Sequence, residues 1–455
     1  MTITLTQEQQ AVFDAIEHTR DHLFVTGRAG TGKSTLLNHL SWHTSKQLVI
    51  SAPTGVAALN VGGQTIHSLF KLPIGVIGSS PIEQNGDVRK LLNTIDTLVI
   101  DEVSMVSADL MDAIDRSLRQ ARGRKDEPFG GVQIVMFGDP FQLAPVPPSH
   151  GDERAYFRDH YRSLWFFDAR VWLETELRIH TLREIHRQHE DEFKQILTGV
   201  RYGQVTAEMA GRLNEVGARP APSDGTITLA ARNAQVTRIN AENLERLAGR
   251  SMTAKAEITG DFGGRNFPAE ESLDLKVGAQ VMFLRNDVDS RWVNGSIGEV
   301  TRIDRTVYVE VDGEEHEVEP IVWEKLKYSY SAVTKELKRE VVGEFTQFPL
   351  RLAWAVTIHK SQGKTYDRAI VDLGARAFSP GQTYVALSRI RALDGLYLSR
   401  PLHPRDIFVD EDVMRFMRQV AAAQRAQAAG TTSTPAVPAG AVDAERKDPA
   451  SSASA

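Results

Sequence analysis

The stretch Gly27-Arg28-Ala29-Gly30-Thr31-Gly32-Lys33-Ser34 decides how this chain is read. It fits the phosphate-loop pattern G-x-x-x-x-G-K-[ST], whose glycines let backbone N–H groups face phosphate oxygens. In that pattern Lys33 neutralises the β and γ oxygens, and the Ser34 hydroxyl is a ligand for Mg²⁺. The context agrees. Apolar Leu23–Thr26 reads as the preceding strand and Ser34–Trp42 as the following helix. A bound and cleaved triphosphate is therefore expected, rather than a glycine turn beside a surface lysine.

Working outward, Leu48–Ser51, Leu98–Ile100 and Ile134–Phe137 are further short apolar runs that end in Gly, Pro or acidic residues. Buried strands of a parallel sheet have this form, with functional loops at their C-terminal ends. The run Thr97–Ile100 delivers Asp101 and Glu102. Asp101 suits the Mg²⁺ shell, and Glu102 suits orientation or deprotonation of the attacking water. The run Ile134–Phe137 leads into Gly138–Leu143, where Gln142 is the candidate sensor of the γ-phosphate. The same grammar returns at Ile227–Leu229, Ala369–Leu373 and Leu396–Leu398, which implies a second α/β domain. Residues 281–345 read differently. Val281–Leu284, Gly298–Ile303, Thr306–Val311 and Glu315–Val318 are short strands, with turn signals at Asn294-Gly295 and Asp312-Gly313. A small β-barrel insertion is expected there. From Ala421 onward the composition turns to Ala, Thr, Pro and Ser, which buries too little apolar area to offset chain entropy.

The 455 residues exceed the ceiling of roughly 250–300 for one hydrophobic core. There is no cysteine, so disulfides, iron–sulfur clusters and Cys-ligated zinc are excluded. The net charge of -6 is silent on nucleic acid, because a local basic channel matters more than the total. No apolar run approaches the ~20 residues of a bilayer span, and no secretory signal is visible, so a cytoplasmic protein without a membrane partner is expected.

The order of motifs resembles superfamily-one helicases, most closely the Pif-type (petite integration frequency) branch, with RecD-like helicases as neighbour. The matching segments are Leu5–Gln10, the phosphate loop, Ala52–Ala58, Thr65–His67, Ile100–Glu102, Pro128–Gly131 and Gly138–Leu143. Beyond these come Arg187-Gln188 with Phe193, Val293–Gly298, Thr357–Thr365 and Tyr384–Arg389, so the likeness runs from about residue 5 to 410. One departure is Ala144-Pro145, where the family commonly carries two prolines; only one φ is then fixed.

The resemblance implies two RecA-like domains, at residues 1–180 and 181–415, followed by a flexible tail at 416–455. The first would carry a short duplex-splitting insertion at about 69–94, and the second an SH3-like insertion at about 281–345. It implies an ATP-dependent DNA helicase moving 5′→3′ on single-stranded DNA, with ATP and Mg²⁺ as cofactors. Gln9, Gly30, Thr31, Gly32, Lys33, Ser34, Thr35 and Gly363 would hold the nucleotide, and Ser34 and Asp101 the metal. Glu102 would activate water, while Gln142, Arg187 and Arg389 would report on the γ-phosphate from the cleft between the domains. Pro53, Thr54, His67, His359, Lys360 and Ser361 would lie along DNA. Single-stranded or forked DNA is the implied partner of a monomer, with G-quadruplex and RNA–DNA hybrid left open. Two alternatives also remain open: an ATP-regulated nucleic-acid binder that does not unwind, and a RecD-like subunit of a nuclease complex. Phe70, Trp292 and Trp354 are candidates either for base stacking or for core packing.

Overall fold

The computed structural model describes residues 4–428 except 74, 79–81, 149–150, 223–224, 263–266, 290 and 332–335. The apolar runs around the phosphate loop become one parallel sheet. Its strands are β1 (His22–Gly27), β2 (Leu48–Ala52), β3 (Gln64–Thr65), β4 (Thr97–Ile100), β5 (Gln133–Gly138) and β6 (Leu177–Leu182). They lie in the order β3-β2-β4-β5-β1-β6, every neighbouring pair parallel. β2, β4 and β5 are buried along their whole length, as expected of strands covered on both faces. This order sets the C-terminal ends of β1, β4 and β5 side by side, so the phosphate loop, Asp101-Glu102 and the turn after Gly138 share one end of the sheet. Because β6 pairs with β1 throughout His22–Gly27, the first unit extends past the expected boundary at residue 180.

A second parallel sheet is formed by Ala355–Thr357, Ile227–Ala230, Ala369–Asp372 and Leu396–Leu398, in that spatial order. The two sheets are RecA-like, and the α/β class is as expected. Between Ile227–Ala230 and Ala355–Thr357 lies the β-rich domain. It is larger than the 281–345 read from sequence, because its strands run from Met252 to Leu352. Five strands make an antiparallel sheet, and the four expected strands are among them. The Asp312-Gly313 turn has φ of 53° and 86°, the doubly positive geometry of a tight hairpin. A long hairpin, Ile321–Ser331 with Glu336–Gln347, adds the strand Glu257–Gly260 at its side. The short strands Met252–Lys255 and Ser272–Leu275 pair with each other; they alternate, but over only four residues each, and lie outside the expected insertion.

The hairpin reaches back to the first unit. Tyr328 is buried, and its hydroxyl accepts from the Ile50 N–H of β2 at 3.3 Å, satisfying a donor that the two-residue β3 is too short to cover. The expected insertion at 69–94 contains the helix Gly86–Thr94, capped by Asn85, whose side chain accepts from the Val88 N–H at 2.9 Å. That helix packs against Ile321–Ser331.

The expected start of the flexible tail at residue 416 is corrected. A helix runs from Glu411 to Ala428 and buries Phe416, Val420 and Ala423. It follows the second sheet in sequence but packs on the first. Phe416 stacks on Phe167 at 4.2 Å, Arg415 pairs with Asp168 at 2.7 Å and Gln424 donates to Thr181 Oγ1 at 2.8 Å. Composition hid this, because the helix's apolar residues are interleaved with Ala and Gln. The remainder of the expected tail lies outside the described residues. Among the described residues no helix is long and apolar enough to cross a membrane.

Candidate functional site

Between the sheets is a cavity of about 860 Å³. Gln9, Gly30, Thr31, Gly32, Lys33, Ser34, Thr35, Glu102, Gln142, Arg187, Gly363 and Arg389 all line it, so most of the expected nucleotide and catalytic residues converge. His186, His189, Thr365 and Arg391 line it as well and were not anticipated.

The loop's shape explains its glycines. Gly32 has φ 77°, and a Cβ there would meet Gln9 Nε2 at 2.5 Å. Gln9 itself is fixed by a capping box with Thr6 and donates to the Gly32 carbonyl at 3.3 Å, so it braces the loop directly. Lys33 Nζ donates to the carbonyls of Gly27 at 2.7 Å and Arg28 at 3.1 Å. Burial pulls its pKa below the usual lysine value, against the pull of Asp139 and Glu102.

At the end of β4 the two acids are held in an uncomfortable state. Burial, together with Glu102, pushes the Asp101 carboxyl up to about 7. Burial also raises Glu102, against the charges of Lys33 and Arg389. Glu102 has φ 49° and ψ 44°, a left-handed conformation that costs a non-glycine residue on the order of 1–3 kcal/mol and gathers at functional sites. Two adjacent carboxyls displaced this way are relieved by a divalent cation. Among the described residues no group of three or more His, Cys, Asp or Glu side chains converges on a metal position. The Ser34 hydroxyl on the cavity wall and the raised Asp101 carboxyl are oxygen donors of the type Mg²⁺ takes beside triphosphate oxygens.

Two arginines line the same cavity. Arg389 is 2% exposed and spends its donors on the Val385 carbonyl and the Ser388 hydroxyl. Arg187 donates to the Ser388 carbonyl at 3.1 Å. Burial first, and Arg389 second, pull Arg187 down to about 9, while burial lowers Arg389 too. Neither makes an ion pair among the described residues, so both are poised for a polyanion. Arg187 does not come from the second half, as its expected place at 181–415 implied. It sits just after β6, and the neighbouring His186 N–H donates to the Gly30 carbonyl at 2.9 Å, which ties the segment to the phosphate loop. Arg389 alone of the two arrives from the second sheet.

Three residues at the site escaped the sequence reading. Arg201, on the helix Asp191–Tyr202, pairs with fully buried Asp139 at 2.8 Å and lies over the rings of Phe141 and Tyr202. Burial alone would raise Asp139, but Arg201 and Lys33 hold its carboxyl below the usual range. Tyr384 accepts from the Ala29 N–H at 3.1 Å, linking the phosphate loop to the second half. Gln362 donates to Glu102 Oε2 at 3.1 Å and to Gln142 Oε1 at 3.3 Å. The halves approach closely: a Cβ on Gly381, which has φ 73°, would meet the Phe141 carbonyl at 2.3 Å. No local pattern marks such residues, since each matters through a partner between 62 and 355 positions away.

The expected DNA residues divide. Pro53 and Thr54 follow β2 and His67 follows β3, so neighbouring strands bring them to one edge. Thr54 is the N-cap of the helix Gly55–Asn60, its hydroxyl accepting from Ala57. His359 and Lys360 are exposed on the turn after Ala355–Thr357. Ser361 is fully buried and donates to the Ile358 carbonyl at 2.8 Å, so it shapes that turn and does not face outward. Desolvation lowers the pKa of both His67 and His359. Arg351 lies close enough to Lys360 and Lys364 to disfavour the charge on both, and neither Arg351 nor Lys364 was anticipated. Burial and the nearby Arg351 pull Lys364 down to about 7. Phe70, Trp292 and Trp354 pack in cores; Trp292 stacks on Phe283 at 4.3 Å.

Comparison with known proteins decides the family. Residues 4–211 match the family model for PIF1-like helicases, and residues 264–303 match the model for the 2B domain of DNA helicase Pif1. The ATP-dependent DNA helicase Pif1 of Bdellovibrio bacteriovorus is 32% identical over 429 residues, 92% of each chain. The chain belongs to the Pif1 helicase family. Pif1 from Bacteroides, solved in several states, is 38% identical, and 98% of its chain is covered. Its complex with ADP-AlF4 matches at a TM-score of 0.86 over 92% of this chain. Its complex with single-stranded DNA matches at 0.68 over 94%, and the structure describing unwinding at forked duplex DNA by two coordinating Pif1 helicases at 0.67 over 92%. Membership decides for a helicase over a non-unwinding binder or a RecD-like nuclease subunit. The chain is an ATP-dependent DNA helicase of the Pif1 family, its β-rich insertion is the 2B domain of that family, and ADP-AlF4 bound to a relative marks the nucleotide chemistry.

Proposed function

We propose that this chain moves 5′→3′ along single-stranded DNA and opens forked duplex, by completing and dismantling one ATP cleft between its two sheets. The observation that carries the reading is the composition of the cleft: phosphate loop and acids from one sheet, Arg389 and Gln362 from beside the other. The triphosphate lies along Gly30–Thr35, and Lys33 turns from its own loop's carbonyls to the β and γ oxygens. Ser34 and Asp101 would hold Mg²⁺, which would supply charge neutralisation to the phosphate oxygens. Glu102, already raised by burial, takes a proton from the attacking water, and Gln142 orients that water. Arg187 and Arg389 stabilise charge on the transferring group. Hydrolysis removes the group that these arginines share, so the cleft's preference for its complete form differs between ATP and product, as a motor requires.

Pro53, Thr54 and His67 on one side, with His359, Lys360, Arg351 and Lys364 on the other, line the path of the strand in this proposal. The 2B domain is an SH3-like barrel whose hairpin lies against the helix Gly86–Thr94, the element that meets the duplex. An unwinding assay on duplexes with either a 5′ or a 3′ single-stranded tail tests this. The 5′-tailed duplex is separated in the presence of ATP, and Lys33→Ala leaves it intact. Separation of the 3′-tailed duplex alone contradicts the proposal, as does wild-type unwinding by Lys33→Ala.

A further inference from the structure

Gln362 stands at the meeting point of two functions. Its carboxamide carries two N–H donors, and both are in use, on Glu102 Oε2 at 3.1 Å and on Gln142 Oε1 at 3.3 Å. Gln142 Nε2 lies 3.5 Å from Asp139 Oδ2, so each polar atom of Gln142 has a protein partner. In this arrangement the two groups that must handle the attacking water are therefore occupied by Gln362.

The same short turn carries the exposed His359 and Lys360. It is a rigid object: Lys360 N–H donates to Thr357 Oγ1 at 3.2 Å, Ser361 N–H to the Thr357 carbonyl at 3.0 Å, Gln362 N–H to the His359 carbonyl at 3.2 Å and Lys364 N–H to the Ser361 carbonyl at 3.0 Å. The buried Ser361 hydroxyl closes it from inside. A pull on His359 and Lys360 by a phosphate backbone is thus transmitted to Gln362 two residues on, with little slack to absorb it.

We propose that Gln362 is a positioning residue that restrains hydrolysis: it holds Glu102 and Gln142 until a DNA strand engages the turn on which it stands. DNA then stimulates the ATPase by removing a restraint, in addition to anything it does to bring the sheets together. The inference rests on Glu102 acting as the base. It requires only that the two hydrogen bonds weaken when the turn is engaged.

The test measures steady-state ATP hydrolysis with and without saturating single-stranded oligodeoxythymidine, for the full chain and for Gln362→Ala and Gln362→Leu. Leucine keeps the bulk and removes both donors, and thermal melting checks that each variant is folded. The expected result is a DNA-free kcat raised about fivefold or more, the low end of ordinary coupling between sites, with a smaller ratio of DNA-stimulated to DNA-free rate. A purely structural role lowers both rates together and does not raise either. A DNA-free kcat that is unchanged or lower in both variants overturns the proposal. Glu102→Gln is measured alongside. If it still hydrolyses ATP at the wild-type rate, the assignment of the base is what fails; if it is inactive while Gln362→Ala and Gln362→Leu show no gain, only the restraint fails.

Discussion

The first parallel sheet ends at the cleft in a phosphate loop and two acids, Asp101 and Glu102; beside the second stand an amide and an arginine, Gln362 and Arg389. Both sheets are short, parallel and buried, yet they bring opposite discomforts to the same space. On the first side burial raises carboxyls, Asp101 to about 7. On the second side burial lowers cations, Arg389 in the cleft and Lys364 on the segment after Ala355–Thr357, the latter to about 7. In the proposed mechanism a phosphate chain with its divalent cation would relieve the cleft groups together, and a DNA phosphate would relieve Lys364. The contrast implies a division of labour: the first half binds the nucleotide, and the second completes the chemistry and senses DNA.

Four experiments break or sharpen that contrast. Arg389→Ala removes the second half's charge from the transferring phosphoryl group and is expected to lower kcat by about 10³–10⁵, the range for such an arginine. Glu102→Gln removes the base from the first half, and the expected loss is about 10²–10⁴ in kcat. The third concerns the DNA face. Lys364 is charged below about 7 and neutral above it, and a phosphate favours the charged form. Affinity for single-stranded DNA is therefore highest below pH 7 and falls as pH rises, by up to about tenfold per pH unit for one linked proton. Anisotropy titrations between pH 6.5 and 8.5 read this, and in Lys364→Met the slope flattens. The smallest effect is structural. Tyr328→Phe leaves the Ile50 N–H of β2 without its partner, at a cost of about 1–3 kcal/mol, read as faster amide exchange at Ile50.

What could be read beforehand follows from locality. The phosphate loop, the acids after β4 and the hairpin at Asp312-Gly313 were legible because a few consecutive residues specify their backbone and their chemistry. The boundary strands were harder. β3 has two residues, and β6 at the sheet's edge is only partly buried with no regular alternation, so neither shows the apolar run that marks the other strands. The helix Glu411–Ala428 was lost to a composition argument, although Phe416, Val420 and Ala423 lie on one face at helical spacing. Arg201, Tyr384 and Gln362 were out of reach for a different reason. Their roles exist only in contacts between segments distant along the chain, and the motif pattern named the segments without naming the contacts. Ser361 shows the converse, since its place in a DNA-binding motif suggested an outward hydroxyl that the fold turns inward.

The division of labour is tested most directly by equilibrium binding of ATP to Arg389→Ala, followed with a fluorescent nucleotide under conditions where hydrolysis is lost. The account predicts a Kd within about tenfold of wild type, that is within ~1.4 kcal/mol, because Lys33 and the loop Gly30–Thr35 supply the binding. A Kd weakened as much as kcat falls would contradict it, and would mean that the second half holds the nucleotide instead of completing its hydrolysis.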